Sequence, residues 1–192
     1  LVNKSLRLMN PLLFPMITLL VIYASQILYL FYGNRYDGAE AAMSVFAIGV
    51  GFLTVFYVLA FALNGAGLVR LSMKLSFFGF LAMVILNFFL IPSYGIVGAA
   101  LSATLSAAGV MVGILGATKT HFRVRLPKRS FFLSVLASGA IFFLARFLPD
   151  GQYFFLCSGA LLFIFHFLFL RFFGELTDED IAPFKKLLGR RS

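Results

Sequence analysis

The sequence predicts an all-α, polytopic integral membrane protein with six transmembrane helices. Hydrophobic residues make up 61% of the 192 residues and charged residues only 12%, whereas soluble domains have about 45–50% and about 25%. Six apolar stretches reach or approach the roughly 20 residues that an α-helix needs to cross a bilayer. All but two of the 16 Lys and Arg residues lie at the chain ends or in alternate gaps between these stretches. A soluble globular domain is therefore excluded.

The predicted spans are bounded by Gly, Pro, Asn or charged residues, which interrupt apolar helices. Within a transmembrane region of residues 1–174, they cover approximately residues 8–31, 41–63, 75–91, 98–117, 131–148 and 153–173, and residues 175–192 form an amphipathic tail. Pro11 and Pro15 predict a weakened or kinked start of the first span. Pro92 lacks an N–H group and disfavours helical geometry in the residue before it, so we expect the third span to end at Ile91.

The distribution of positive charge predicts the orientation in the membrane. Lys and Arg residues are retained on the cytoplasmic side during insertion. They occupy both ends of the chain and the second and fourth gaps, whereas the far side has only Arg35, in the first gap, and Arg146, near the outer end of the fifth span. We therefore expect both ends to be cytoplasmic in a multi-pass protein of the cell membrane. The net charge of +9 follows from this topology, and the dispersed basic residues exclude nucleic acid as a partner.

Small residues predict where helices pack or end. Gly109 and Gly113 form a GxxxG face in the fourth span, which is typical of close packing between membrane helices. The Asn-Gly-Ala-Gly run of residues 64–67 tolerates left-handed backbone geometry and is expected to end the second span. The single cysteine, Cys157, excludes an intrachain disulfide and is expected to be buried as a small hydrophobe.

Polar residues inside the membrane are costly and mark either pathways or interhelical hydrogen bonds. The candidates are Gln26, Asn87, Arg146 and His166. Gln26 and Asn87 suit hydrogen bonds between helices, with substrate contact as the alternative. Arg146 suits anchoring at the far interface. His166 is either a hydrogen-bonded packing residue, or a proton relay or lipid-phosphate contact.

The fourth gap concentrates positive charge beside the membrane. Its candidates for contact with lipid headgroups are Arg123, Arg125, Lys128 and Arg129. Each basic residue near an anionic surface contributes about 1 kcal/mol of attraction. The alternative interpretation is that these charges only set topology and attract lipids in general.

The sequence contains no HExxH motif, no Gly-rich phosphate loop and no plausible Ser/His/Asp set, and all seven carboxylates lie outside the predicted spans. Enzyme chemistry needs such groups within reach of one another. We therefore expect a protein that is not an enzyme and that uses no cofactor or metal.

Three segments resemble the C-terminal half of polysaccharide-biosynthesis flippases of the multidrug/oligosaccharidyl-lipid/polysaccharide exporter superfamily. They are ILYLFYGNRY at residues 27–36, LNGAG at 63–67 with Arg70, and NFFLIPSYGIVGAAL at 87–101, and the resemblance extends over nearly the whole chain. It implies that the six spans are the last six of a fourteen-helix, two-lobed transporter. Its implied activity is to move polyprenyl-pyrophosphate-linked oligosaccharide across the cytoplasmic membrane by alternating access.

The same resemblance implies the partners: the lipid-linked glycan, membrane lipids, a missing N-terminal lobe and other proteins of polysaccharide assembly. The chain begins with Leu1 and not Met, which agrees with a segment of a longer protein. Related flippases hold the lipid tail in a groove of their last two helices, so the Phe-rich spans 131–148 and 153–173 are expected to take the prenyl chain. The alternatives are a drug/cation antiporter, which is expected to use membrane carboxylates, and a non-transporting scaffold.

Overall fold

The computed structural model describes residues 2–36, 38–121, 128–145 and 154–172. These residues form helices joined by short turns, without a β-strand in the described ranges, so the all-α class is confirmed. The elements are α1 (Val2–Ile22), α2 (Ala24–Tyr32), a 3-10 turn (Gly33–Tyr36), α3 (Glu40–Gly65), α4 (Val69–His121), α5 (Lys128–Ala145) and α6 (Phe154–Phe172).

The described helices are apolar enough to enter a membrane. By length and composition, α3 and α4 each suit a crossing, and the bent pair of α1 and α2 suits a third. The apolar parts of α5 and α6 are shorter, at Phe131–Ala145 and Cys157–Phe172. Because α4 is broken at Gly95, it consists of two arms, α4a (69–94) and α4b (96–121), each about 39 Å long at 1.5 Å per residue. The number of six crossings stays a prediction.

Gly95 reverses the chain within α4. It has φ 56° and ψ −132°, a conformation that glycine adopts far more readily than residues with a Cβ. The two arms then lie antiparallel, since Leu75 approaches Gly113 and Val110 approaches Gly79. The end predicted at Ile91 is wrong, because the helix continues to residue 94. Pro92 removes the N–H donor of only one helical carbonyl, and membrane helices tolerate such a loss. The reversal instead requires a residue with positive φ, which is Gly95.

A second break separates α1 from α2 at Tyr23, where the two helices meet at 72°. The helix is continuous through Pro11 and Pro15, so the prediction that the bend lies at the prolines is wrong. Pro15 is fully buried, and its ring is therefore accommodated by packing. The hydroxyls of Tyr23 and Ser158 share a buried hydrogen bond of 2.8 Å, which ties the break to α6.

The bundle has two packed regions that α1 joins. α3 and α4b enclose one core, and α1 packs against both α3 and α5. A Cβ placed on Gly49 would lie 3.0 Å from the Cα of Thr104, so α3 and α4b approach closely. The Thr104 hydroxyl also donates a 2.8 Å hydrogen bond to the Val45 carbonyl. The first core contains Phe56, Leu59, Ala60, Leu63, Val110 and Ile114, and the second contains Tyr23, Ile141 and Leu162.

The end of α3 confirms the predicted glycine turn. Gly67 has φ 81°. Its N–H group donates to the Asn64 carbonyl at 3.0 Å, and that of Leu68 donates to the Leu63 carbonyl at 2.9 Å. This pair of hydrogen bonds is the Schellman motif, which satisfies carbonyls that the helix leaves without donors.

Two packing predictions are wrong. Gly109 is exposed and a Cβ there would meet no atom within 4 Å, whereas a Cβ on Gly113 would lie 2.9 Å from Leu75. Only one of the two glycines therefore permits a close approach of helices. Cys157 is exposed, because α6 buries the face that carries Ser158 and Leu162 instead.

We predict that Gly98→Ala destabilises the protein, because its Cβ would overlap the carbonyl oxygen of Leu90 on the facing arm. The expected loss is about 1–3 kcal/mol in the free energy of unfolding. Circular dichroism of the purified protein, titrated with a denaturing detergent, measures this loss. Gly109→Ala, on the same arm but in open space, is the control and should cost nothing. Equal losses in the two variants would contradict the hairpin geometry.

Candidate functional site

Two cavities open along one face of α3. One, of about 460 Å³, lies near Gly95 between the 3-10 turn, α3 and α4b. The other, of about 440 Å³, lies between α3 and α4a near the opposite end. The lining residues of α3 recur at spacings of three and four, which places them on one helical face. The two cavities are separate, with the contact between Gly49 and Thr104 lying between them along α3. We call this face with its two cavities the α3 groove; its α3 residues are Ala42, Met43, Phe46, Phe56, Tyr57, Ala60, Phe61 and Asn64.

The cavity near Gly95 has apolar walls and an aromatic rim. Its walls include Ala42 on α3 and Ala99 and Ala103 on α4b. Tyr32 and Tyr36 stand at its rim, with ring centroids 4.8 Å apart. Tyrosine combines an apolar ring with a polar hydroxyl and suits a membrane interface. This end of the groove is therefore shaped for an apolar chain.

The opposite cavity adds polar groups to apolar walls. Ser72 donates a 2.5 Å hydrogen bond to the side-chain oxygen of Asn64. Tyr57 and Met73 are exposed at the same cavity. Arg70 and Lys74, both exposed, flank Met73 on α4a within one turn. The Asn64 amide lines this cavity, and the two cations lie at the same end of the bundle, outside the cavity lining. Amide and cationic N–H groups suit an anionic group.

Charge is distributed unequally between the two ends of the bundle. In the ranges that the structure describes, the end near Gly67 has four exposed basic residues, Arg70, Lys74, Lys119 and Arg171. The end near Gly95 has Arg35 together with Glu40. Among these described residues, the charges of the first end sum to a net positive charge, whereas Arg35 and Glu40 balance each other at the second.

Asn87 holds the two arms of α4 together. Its side-chain oxygen accepts a hydrogen bond from the hydroxyl of Ser102 on the facing arm, and Ser102 is fully buried. Neither residue lines the α3 groove. The interhelical hydrogen bond expected for Asn87 is confirmed, although its partner was not foreseen.

The other predicted residues do not gather at the groove. Gln26 is half-buried on α2, and its side-chain oxygen has no hydrogen-bond partner in the described part of the chain. Lys128 and Arg129 lie in the first turn of α5. Arg123, Arg125, Arg146 and the predicted tail lie outside the described residues. Headgroup contact and anchoring by these residues stay predictions.

His166 is fully buried on α6. Neither of its ring nitrogens has a hydrogen-bond partner within the described ranges. The hydroxyls of Ser134 and Ser138 on α5 are likewise without partners there. Sequence analysis singled out His166 but missed the serines, although their four-residue spacing places them on one face of an apolar helix.

No protein-family model matches the chain. Over 88 residues it is 31% identical to an uncharacterised membrane protein of Methanocaldococcus jannaschii, an alignment that covers 46% of this chain and 17% of that protein. The fold of the present chain matches that of the lipid II flippase MurJ in the inward closed conformation, with a TM-score of 0.77 and 18% identity. This match covers 88% of the chain and 38% of the flippase, so the chain spans well under half the length of each relative. The chain therefore shares the helical fold of part of that flippase.

We predict that Asn87 and Ser102 are energetically coupled. A double-mutant cycle of Asn87→Ala and Ser102→Ala should give a coupling of about 0.6–1.7 kcal/mol, the range for hydrogen bonds between membrane helices. Unfolding by a denaturing detergent in mixed micelles measures it. Thr54→Ala is the control partner, since the Thr54 hydroxyl bonds the Val50 carbonyl of its own helix. Additive losses for Asn87 and Ser102 would contradict the assignment.

Proposed function

We propose that this chain is part of a flippase that moves polyprenyl-pyrophosphate-linked oligosaccharide across the cytoplasmic membrane by alternating access. The observation that carries the proposal is the fold, which matches the lipid II flippase over 88% of the chain with a TM-score of 0.77. In this proposal the helices are the last six of fourteen, and an N-terminal lobe completes the transporter. The glycan is exported for assembly of cell-surface polysaccharide.

The α3 groove supports an amphiphilic substrate with an anionic head. Apolar walls in a bilayer gain little free energy by contacting an apolar chain, because lipid tails solvate that chain equally well. Recognition therefore depends on the head. Arg70 and Lys74 stand at one end of the groove only, where two cations provide about 2 kcal/mol of attraction for phosphate.

The topology gives this groove a direction. With basic residues retained inside, the end with Arg70 and Lys74 faces the cytoplasm, where the lipid-linked glycan is loaded. In the sequence, further basic residues, including Arg123 and Arg125, follow α4b. The prenyl chain then extends toward the apolar cavity near Gly95.

The Phe-rich helices α5 and α6 offer a second apolar surface. Phe131, Phe132 and Phe172 are exposed on it, which agrees with the prenyl contact implied by the family resemblance. Contact with bilayer lipids gives the same exposure, so the groove and not this surface provides the sharper test.

We predict that filling the groove slows transport. Ala103→Phe places an aromatic ring in the cavity near Gly95, whereas Leu105→Phe changes an exposed residue of the same arm outside both cavities. The full-length protein in vesicles, supplied with a fluorescent polyprenyl-pyrophosphate oligosaccharide, reports flipping by quenching of the outer leaflet. Ala103→Phe should lower the rate about tenfold, equivalent to about 1.4 kcal/mol. No flipping by the native protein would refute the proposed function. Equal rates in the two variants would refute the role of the α3 groove as the substrate path.

We predict that the cations at the end of the groove recognise the pyrophosphate. Replacing both Arg70 and Lys74 by Gln should weaken apparent affinity for the lipid-linked glycan by about 10- to 30-fold, since each contributes about 1 kcal/mol. Higher salt should diminish the difference. Arg35→Gln, at the opposite end of the bundle, is the matched control and should have little effect. An equal loss in the control would indicate a general effect of charge.

A further inference from the structure

The α5–α6 contact contains buried polar atoms that the α3 groove does not use. Ser134 and His166 are fully buried, and Ser138 is half-buried. Within the described ranges, four of their polar atoms lack a partner: both hydroxyl oxygens and both imidazole nitrogens. Each such atom costs about 1–3 kcal/mol when left unsatisfied. Together they would remove much of a typical stability of about 5–15 kcal/mol, so the folded protein requires partners for them.

The two serines make no hydrogen bond to their own helix. Elsewhere in the bundle, hydroxyls donate to the carbonyl one turn earlier, as Thr18 does to Phe14 at 2.8 Å and Ser106 does to Ser102 at 2.7 Å. That contact satisfies a hydroxyl without help from a second helix. Ser134 and Ser138 do not make it, so their hydroxyls remain free to bind another group.

The register of the helices brings the serines to the level of His166. Ile141 of α5 packs with Leu162 of α6 in one core cluster. α5 and α6 are in contact and follow each other along the chain, so we place them antiparallel, with one turn before Ile141 and one turn after Leu162 at the same depth. Those positions are Ser138 and His166, and Ser134 is one turn further along the same face. We call these three residues the His166 cluster.

The hydrogen-bonding capacity of the His166 cluster identifies its ligand class. A neutral imidazole has one donor and one acceptor, and each hydroxyl has one donor and two acceptor lone pairs. Water, with two donors and two acceptors, complements this set, whereas an apolar chain satisfies none of it. A metal ion would need further ligands, and no group of three His, Cys, Asp or Glu side chains gathers in the described ranges.

We propose that the His166 cluster binds one or two water molecules, which bridge His166 to the serines between α5 and α6. Buried waters of this kind typically make about three hydrogen bonds to groups that otherwise lack partners. The hydrated site is independent of the lipid-linked substrate. It joins α5 to α6 through exchangeable bonds and gives the imidazole contact with water inside an apolar bundle.

Hydroxyl radicals produced from bound water by X-ray radiolysis test this site in the full-length protein, without substrate. In ¹⁸O-labelled water, mass spectrometry should detect labelled oxygen on His166 at a rate at least about fivefold above that on Phe80, an exposed aromatic side chain of the apolar arm α4a that we expect to face lipid. Equal labelling of His166 and Phe80 in the native protein would overturn the proposal, and this comparison requires no variant.

Variants then locate the water. Replacing Ser134 and Ser138 by Val removes two hydroxyls and fills space, so labelling of His166 should fall at least about fivefold if the serines hold the water. Ser158→Ala is the matched control. Ser158 lies on α6, as His166 does, but at another level, where its hydroxyl shares a 2.8 Å hydrogen bond with Tyr23. Persistent labelling in a folded valine variant would overturn the assignment. Neither measurement depends on transport activity, so the result would stand even if the proposed flippase function were refuted.

Discussion

Every part of this structure depends on one constraint: backbone polar groups in hydrocarbon must be satisfied within the protein. Within the described part of the chain, α3 and α4 therefore turn within very few residues. At Gly95, positive φ allows the reversal, and the overlap expected for a Cβ on Gly98 shows how tightly the arms meet. At Gly67 a Schellman motif satisfies the last carbonyls of α3.

Since burial from lipid provides little driving force between helices, close approach and polar contacts must hold the bundle together. Gly49 lets α3 approach α4b, and the Thr104 hydroxyl bonds the Val45 carbonyl across that contact. The hydrogen bond between Tyr23 and Ser158 does the same between the α1–α2 break and α6. Each contact joins elements distant in sequence, and together they fix the geometry of the α3 groove.

Composition and hydropathy were sufficient to predict the helical class, because apolar stretches of about twenty residues rarely form anything other than membrane helices. They did not predict the positions of the bends, which tertiary contacts determine. Proline marks a weak point in a helix, but the bends occur at Gly95 and Tyr23, where positive φ and a bond to α6 select them. Asn87 and His166 were identifiable because polar side chains are rare in the spans. Ser134 and Ser138 were not, since a serine hydroxyl is usually satisfied by its own helix.

The proposed flippase must release what it binds, and this limits the strength of any one contact. Two cations at one end of the α3 groove contribute about 2 kcal/mol, roughly a 30-fold preference, which is enough to orient an anionic head. The apolar walls add shape but little affinity. In the proposed function, a substrate held this weakly binds preferentially at the end that carries the cations and dissociates readily. The charge asymmetry of the groove thus supports directional loading without tight binding.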